Sequence, residues 1–387
     1  MRIIGEKIFS EDGVFRKGSI EVQEGKISKV DWGNTPNETS EDIIDAGNMY
    51  VIPGLIDIHF HGCMGVDFCD GTVHAMDVIT QYELAHGITG IVPATMTLSR
   101  EELARIFENA GNYKQSGGST IYGITMEGPF VSMAKKGAQN GAYIHKPDME
   151  FFRQMQQLSG EMIKQVAVAP EEDTDFAFIK EASRECIVSV AHTTAGYDIA
   201  KEAFEKGASH VTHLFNAMPP FHHRDPGVIG AAIENENVYV ELICDGVHIH
   251  PAMVRTAFTL FGADRICMIS DSMMATGMSD GEYSLGGQKV KVTGRTATLE
   301  DGTIAGSASN LYDCLKVAVK MGIPLKDVVK ACTLTPAKSL HLEKECGSIQ
   351  EGKCADFVVL DEELEIKMVV KGGEAMSCPS NPQNRKC

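Results

Sequence analysis

Residues 51–65 read V-I-P-G-L-I-D-I-H-F-H-G-C-M-G, an apolar run that ends in two histidines separated by one residue. Successive side chains on a strand point to opposite faces, so His59 and His61 project the same way from a strand end. The apolar Leu55, Ile56 and Ile58 suit a strand buried on both faces, as in a parallel sheet covered by helices. Neutral imidazole is a good ligand for zinc, iron and related divalent ions, and a pair fixed on a rigid strand costs little entropy to organise. The first expectation is therefore a metal site, weighed against a pair of ordinary polar residues.

Outward from this stretch the pattern divides the chain. Residues 1–50 read as short strands at 2–9, 18–22 and 26–30, with turns at Asp12-Gly13 and Glu24-Gly25. From Val51 onward apolar runs alternate with helical segments, the signature of a parallel βαβ array. The runs lie at 55–58, 88–92, 121–126, 165–169, 187–191, 210–214, 238–244 and 266–270, with helix candidates such as 100–113, 149–158 and 199–206 between them. Eight strands with intervening helices predict an α/β fold with a closed (β/α)8 TIM-like barrel, whose catalytic groups sit at the C-terminal strand ends. Those ends carry His59 and His61 (strand 1), Glu127 (strand 3), His192 (strand 5), His213 (strand 6) and Asp271 (strand 8). Five strand ends thus offer six metal-compatible or acid–base groups to one face.

Beyond the eighth run come strand-like pieces in 283–299, helix candidates at 311–320 and 324–332, and strand patterns again at 357–360 and 367–370. The predicted organisation is a small β-sandwich domain from residues 1–50 and 346–374, a barrel over 51–345, and a disordered tail over 375–387.

Composition limits the function. The 387 residues are 43% hydrophobic and 23% charged, which suits a globular protein with ample core material. A formal charge of −18 argues against nucleic-acid binding, and an anionic substrate needs a local positive site against that field. No apolar run spans a bilayer and no secretory pattern opens the chain, so a cytoplasmic protein without membrane contact is expected. The 11 cysteines include no C-x-x-C pair and are expected to be reduced.

Six motifs follow in order: P-G-L-I-D-I-H-F-H-G (53–62), M-E-G-P-F (126–130), A-H-T-T-A (191–195), T-H-L-F-N-A-M (212–218), D-G-V-H (245–248) and S-D-S-M (270–273). Together they resemble the N-acetylglucosamine-6-phosphate deacetylases of the amidohydrolase superfamily, over nearly the whole chain. The resemblance implies hydrolysis of the acetamide of N-acetyl-D-glucosamine 6-phosphate to D-glucosamine 6-phosphate and acetate. It also implies Glu127, His192 and His213 as common metal ligands, with His59 and His61 completing a second position that Glu127 bridges. Because both histidines are kept, two divalent metals per chain are expected; imidazole and carboxylate accept zinc, iron, manganese or cobalt. The end of strand 4, V-A-P-E at 168–171, lacks the lysine many superfamily members carbamylate.

The chemistry follows from charge. A divalent metal lowers the pKa of bound water to about 7 and polarises the carbonyl. The resulting hydroxide attacks the acetyl carbon, and Asp271 is the candidate to accept the water's proton and deliver it to the departing amine. Asp271 can also serve as a further metal ligand. For the phosphate, the resemblance points to Arg224 in F-H-H-R-D-P-G, whose forked donors fit phosphate oxygens, and to His248. It implies a homodimer in which phosphate contacts can come from the neighbouring subunit, so Arg224 is expected to serve its own chain's substrate or to act across the interface. Asn216, Ala217, Ile304, Ala305 and Gly306 are expected to contact the ligand, as are Ala138 and Gln139. Gln139 stands where many members have a histidine, and glutamine cannot become a cation. The competing readings are a related amidohydrolase acting on N-acetylgalactosamine 6-phosphate or another N-acyl substrate, and a noncatalytic scaffold.

Overall fold

The computed structural model describes residues 1–33 and 43–376. In it the apolar run at Val51 is divided between two sheets. Tyr50–Pro53 pairs antiparallel with Phe357–Leu360 and parallel with Arg2–Phe9, whereas Leu55–Asp57 pairs in parallel with Ile88–Ile91. Gly54 makes the change of sheet, and a Cβ there would overlap the Thr89 side chain. The strand at 50–53 therefore pairs with the terminal segments, so the sequence boundary at Val51 falls inside a strand of their sheet.

That sheet has eight strands. Its path runs Glu374–Met376, Ile366–Lys371, Phe357–Leu360, Tyr50–Pro53, Arg2–Phe9, Phe15–Gln23 and Lys26–Trp32, with Ile43–Asp45 also on Arg2–Phe9. It is hydrogen bonded as one continuous sheet. Arg2–Phe9 changes register between Gly5 and Ile8, and the sheet curls until Ile27 near one edge and Val370 near the other share one apolar cluster. The Glu24-Gly25 turn has φ of 49° and 74°, the paired left-handed conformation a two-residue hairpin needs. Ala375 and Met376, assigned from sequence to the tail, pair with Val370 and Val369; residues 377–387 lie outside the described residues.

The parallel strands form two hydrogen-bonded groups. One contains Leu55–Asp57, Ile88–Ile91 and Thr120–Ile121. The other runs Ile124–Met126, Ile163–Val168, Ile187–Val190, His210–Val211, Tyr239–Ile243 and Ile266–Ile269. An Ala94–Thr125 bridge joins the groups on one side, and Asp271 N donates to His59 O (3.0 Å) on the other. The predicted run at 121–126 is broken because Tyr122 N still bonds Ile91 O while Ile124 N bonds Met162 O. The chain changes partner at Gly123, where a Cβ would overlap Lys164. The run at 210–214 is strand only at His210–Val211, since His213 already has positive φ.

Helices separate the strands, and local chemistry sets their ends. Ser99 and Glu102 form a capping box on Arg100–Asn112, and Asp148 and Asn310 cap Met149–Leu158 and Leu311–Lys320. After the last parallel strand, Gly281–Leu285, Gln288–Thr293 and Thr296–Thr298 form an antiparallel sheet beside the strand ends. Nine cysteines among the described residues are free. No helix among the described residues is long and apolar enough to cross a membrane.

Candidate active site

The C-terminal strand ends bring six side chains to one place. Glu127, His192 and His213 form one group of converging ligand atoms, and His59, His61 and Asp271 form another; within each, the atoms lie within 4.8 Å of one another. Glu127 Oε1 is 3.0 Å from His192 Nε2 and 3.3 Å from His213 Nε2. The same oxygen is 3.7 Å from His59 Nε2, while Oε2 is 3.5 Å from His61 Nε2, so Glu127 stands between the groups. Asp271 Oδ1 is 3.2 Å from His61 Nε2 and 4.0 Å from His59 Nε2.

Backbone conformation aims these groups. His192, His213 and Asp271 have φ of 43°, 31° and 49°, a left-handed region that L-residues avoid. Each such residue costs on the order of 1–3 kcal/mol and persists where surrounding contacts over-determine it. Glu171 supplies some of these contacts after His192: it accepts from Thr194 N (2.5 Å), from Thr194 Oγ1 (2.9 Å) and from the Thr193 hydroxyl. His192 Nδ1 is held by Lys135 O at 2.8 Å, which leaves Nε2 as the ligand atom. His59 Nδ1 lies 3.1 Å from Glu241 Oε2, and Glu241 Oε1 accepts from Gln165 Nε2 at 2.6 Å.

Burial alone would strip charge from these groups, yet their mutual attraction wins. Burial raises the Glu127 pKa, but the His192 and His213 contacts and the nearby His59 hold it well below the usual carboxylate range. Asp271 is likewise pushed up by burial and carried lower by His61. His59 is lowered by burial and raised well above the ordinary imidazole value by Glu241 and Glu127. The carboxylates thus make a field that demands positive charge. A divalent cation meets that demand, and imidazole with carboxylate suits zinc, iron, manganese or cobalt. The buried His59 Nε2 has no hydrogen-bond partner in the cluster it faces, as a ligand atom should.

A cavity of about 370 Å³ opens over the cluster. Ala138, Gln139, Asn216, Ala217, His248, Ile304 and Gly306, all expected from sequence to contact the ligand, line it. His248 is oriented by Asp245, whose Oδ2 is 2.8 Å from its Nδ1. Two expected residues stand apart. Ala305 is fully buried in the apolar cluster behind the cavity wall, while its neighbours face the opening. Arg224 is exposed on a surface loop, its Nη1 2.8 Å from His223 Nε2, and is absent from the lining. Sequence reasoning did not single out Lys135 or Glu241. Glu241 left one signal, a carboxylate inside the apolar run at 238–244.

Residues 50–376 match the model of the Amidohydrolase family. The N-acetylglucosamine-6-phosphate deacetylase of Bacillus subtilis is 36% identical over 373 residues, covering 95% of this chain and 94% of that protein. The enzyme of that name from Lysinibacillus sphaericus is also 36% identical, over 91% of each. A mutant N-acetyl-D-glucosamine-6-phosphate deacetylase from Mycobacterium smegmatis, solved in complex with N-acetyl-D-glucosamine-6-phosphate, superposes with a TM-score of 0.91. It shares 32% identity and covers 97% of this chain and 98% of its own. The chain belongs to the amidohydrolase family and, within it, to the N-acetylglucosamine-6-phosphate deacetylases.

Proposed function

We propose that the protein hydrolyses the acetamide of N-acetyl-D-glucosamine 6-phosphate to D-glucosamine 6-phosphate and acetate. The observation that carries this reading is the pair of ligand groups flanking Glu127 on the floor of one cavity. His59, His61 and Asp271 would hold one divalent cation and His192 and His213 another, with Glu127 between them. Bound there, such ions polarise an amide carbonyl and acidify a water molecule.

The chain's own residues do the rest. Asp271 is held ionised by His61, so its carboxylate takes the proton of the attacking water and passes it to the departing nitrogen. That transfer is needed because an amide nitrogen leaves only as the protonated amine. Lys135 O and Glu241 fix the rings of His192 and His59, so the ligand atoms need not reorganise. His248 offers a polar contact to the sugar phosphate, and the backbone at Asn216-Ala217 and Ile304 borders the ring.

Three larger features belong to the same reading. The two parallel groups make one closed (β/α)8 barrel, supported by the Ala94–Thr125 bridge and the Asp271–His59 bond at their edges. A homodimer brings Arg224 to the neighbouring subunit's phosphate, supported by its exposure away from its own cavity. A cytoplasmic setting agrees with the free thiols among the described residues.

The test is acetate release from N-acetylglucosamine 6-phosphate, with metal counted on the same sample. Release with about two metals per chain, lost in Asp271→Asn, is expected. A fully metallated protein that releases no acetate would sink the substrate assignment. Running N-acetylgalactosamine 6-phosphate in parallel sets the preference between epimers.

A further inference from the structure

Gln139 uses both ends of its buried amide. Oε1 accepts from Thr97 N at 2.6 Å, which assigns the oxygen to that side and turns the nitrogen toward the cluster. Nε2 then donates to Glu127 Oε2 at 2.7 Å. The preceding backbone is pinned as well: Gln288 donates to Ala138 O, and Gln139 N donates to Lys136 O at 2.9 Å. The two oxygens of Glu127 are therefore not equivalent. Oε1 faces His192 and His213, with His59 Nε2 farther off at 3.7 Å, and takes no amide proton, whereas Oε2, which faces His61, already carries one. A carboxylate oxygen has two lone-pair sites, and a hydrogen bond to one draws charge from the other.

We propose that Gln139 is a positioning residue that makes the two cation positions unequal, tight at Glu127–His192–His213 and weaker at His59–His61–Asp271. This rests on the reading of the cluster as a cation site. Glutamine is suited to the task because its N–H cannot be titrated away, so the inequality holds across pH.

The experiment titrates metal-free, full-length protein with Mn2+ and counts free ion by electron paramagnetic resonance. Wild type is expected to show two separated dissociation constants. Gln139→Met keeps the length of the side chain and removes the donor; its second constant should tighten about tenfold while the first stays in place. Gln139→Leu removes the donor without adding charge, so it should tighten the second position too and carries the test if the Met variant does not fold. A purely structural role would shift both constants together. Parallel shifts, or an unchanged second constant in both variants, overturn the proposal. If His61→Asn and His192→Asn leave both constants untouched, the cation-site reading itself fails and takes the proposal with it.

Discussion

Asp271 is 3.2 Å from a histidine of the cluster and carries positive φ, a placement that a purely packing residue would have no reason to keep. Asparagine at this position preserves shape and removes the basic oxygen. Asp271→Asn should lower kcat by about 10²- to 10⁴-fold, with an unchanged thermal transition confirming that the fold survives. Glu241 acts one contact further out. Glu241→Gln keeps an oxygen for His59 but loses the charge, and should weaken cation binding at the His59–His61 position about tenfold, read by metal content after dialysis. The cluster residues were legible because histidines and acids at strand ends are conspicuous against apolar runs. Glu241 was not, because its partner is 182 residues away and only the packing of the parallel strands brings the two together. Gln139 was legible as a departure from the family pattern, but its contact with Glu127 depends on a loop path that no periodicity encodes.

Strands buried on both faces announce themselves as unbroken apolar runs, and for that reason the eight runs read from sequence fall within a few residues of the parallel strands. The details that position the site were less visible. The break at Gly123 and the sheet change at Gly54 come from close backbone approach, where any side chain would overlap a neighbour. The loop after the fifth strand is clamped by Glu171, so Glu171→Ala should cost about 1–2 kcal/mol in urea unfolding and loosen the cation held by His192. The loop after the seventh strand gives a pH prediction. Burial opposes both shifts, yet His248 holds the Asp245 pKa below its ordinary value and Asp245 raises that of His248. The histidine's contribution is full below its unfolded value of 6.5 and is lost as pH rises through the higher folded value. The aspartate's contribution is present above its unfolded value of 3.8 and is lost as pH falls through the lower folded one. The stability difference between wild type and Asp245→Asn should therefore be largest between these two values and shrink above them. A difference that keeps growing toward alkaline pH would refute the pairing.

At the scale of the whole molecule, both ends of the described chain build one sheet, while the charge balance leaves the cavity short of cations. A phosphate dianion must dock on a protein of formal charge −18, and among the described residues the cavity lining offers Lys135 as its lysine or arginine. Arg224 is exposed beside His223 and away from that lining, which is where a group serving a neighbour would stand. The proposed exchange between subunits has a consequence that no single-chain role shares. Arg224→Ala dimers keep Asp271 but lack the phosphate cation, and Asp271→Asn dimers have the cation but cannot move the proton. Dissociating and remixing equal amounts should produce mixed dimers in which one site has both groups, restoring about a quarter of wild-type acetate release at low substrate. If Arg224 served its own chain, neither subunit of a mixed dimer would be complete. Remixing would then yield no more activity than the two variants measured apart.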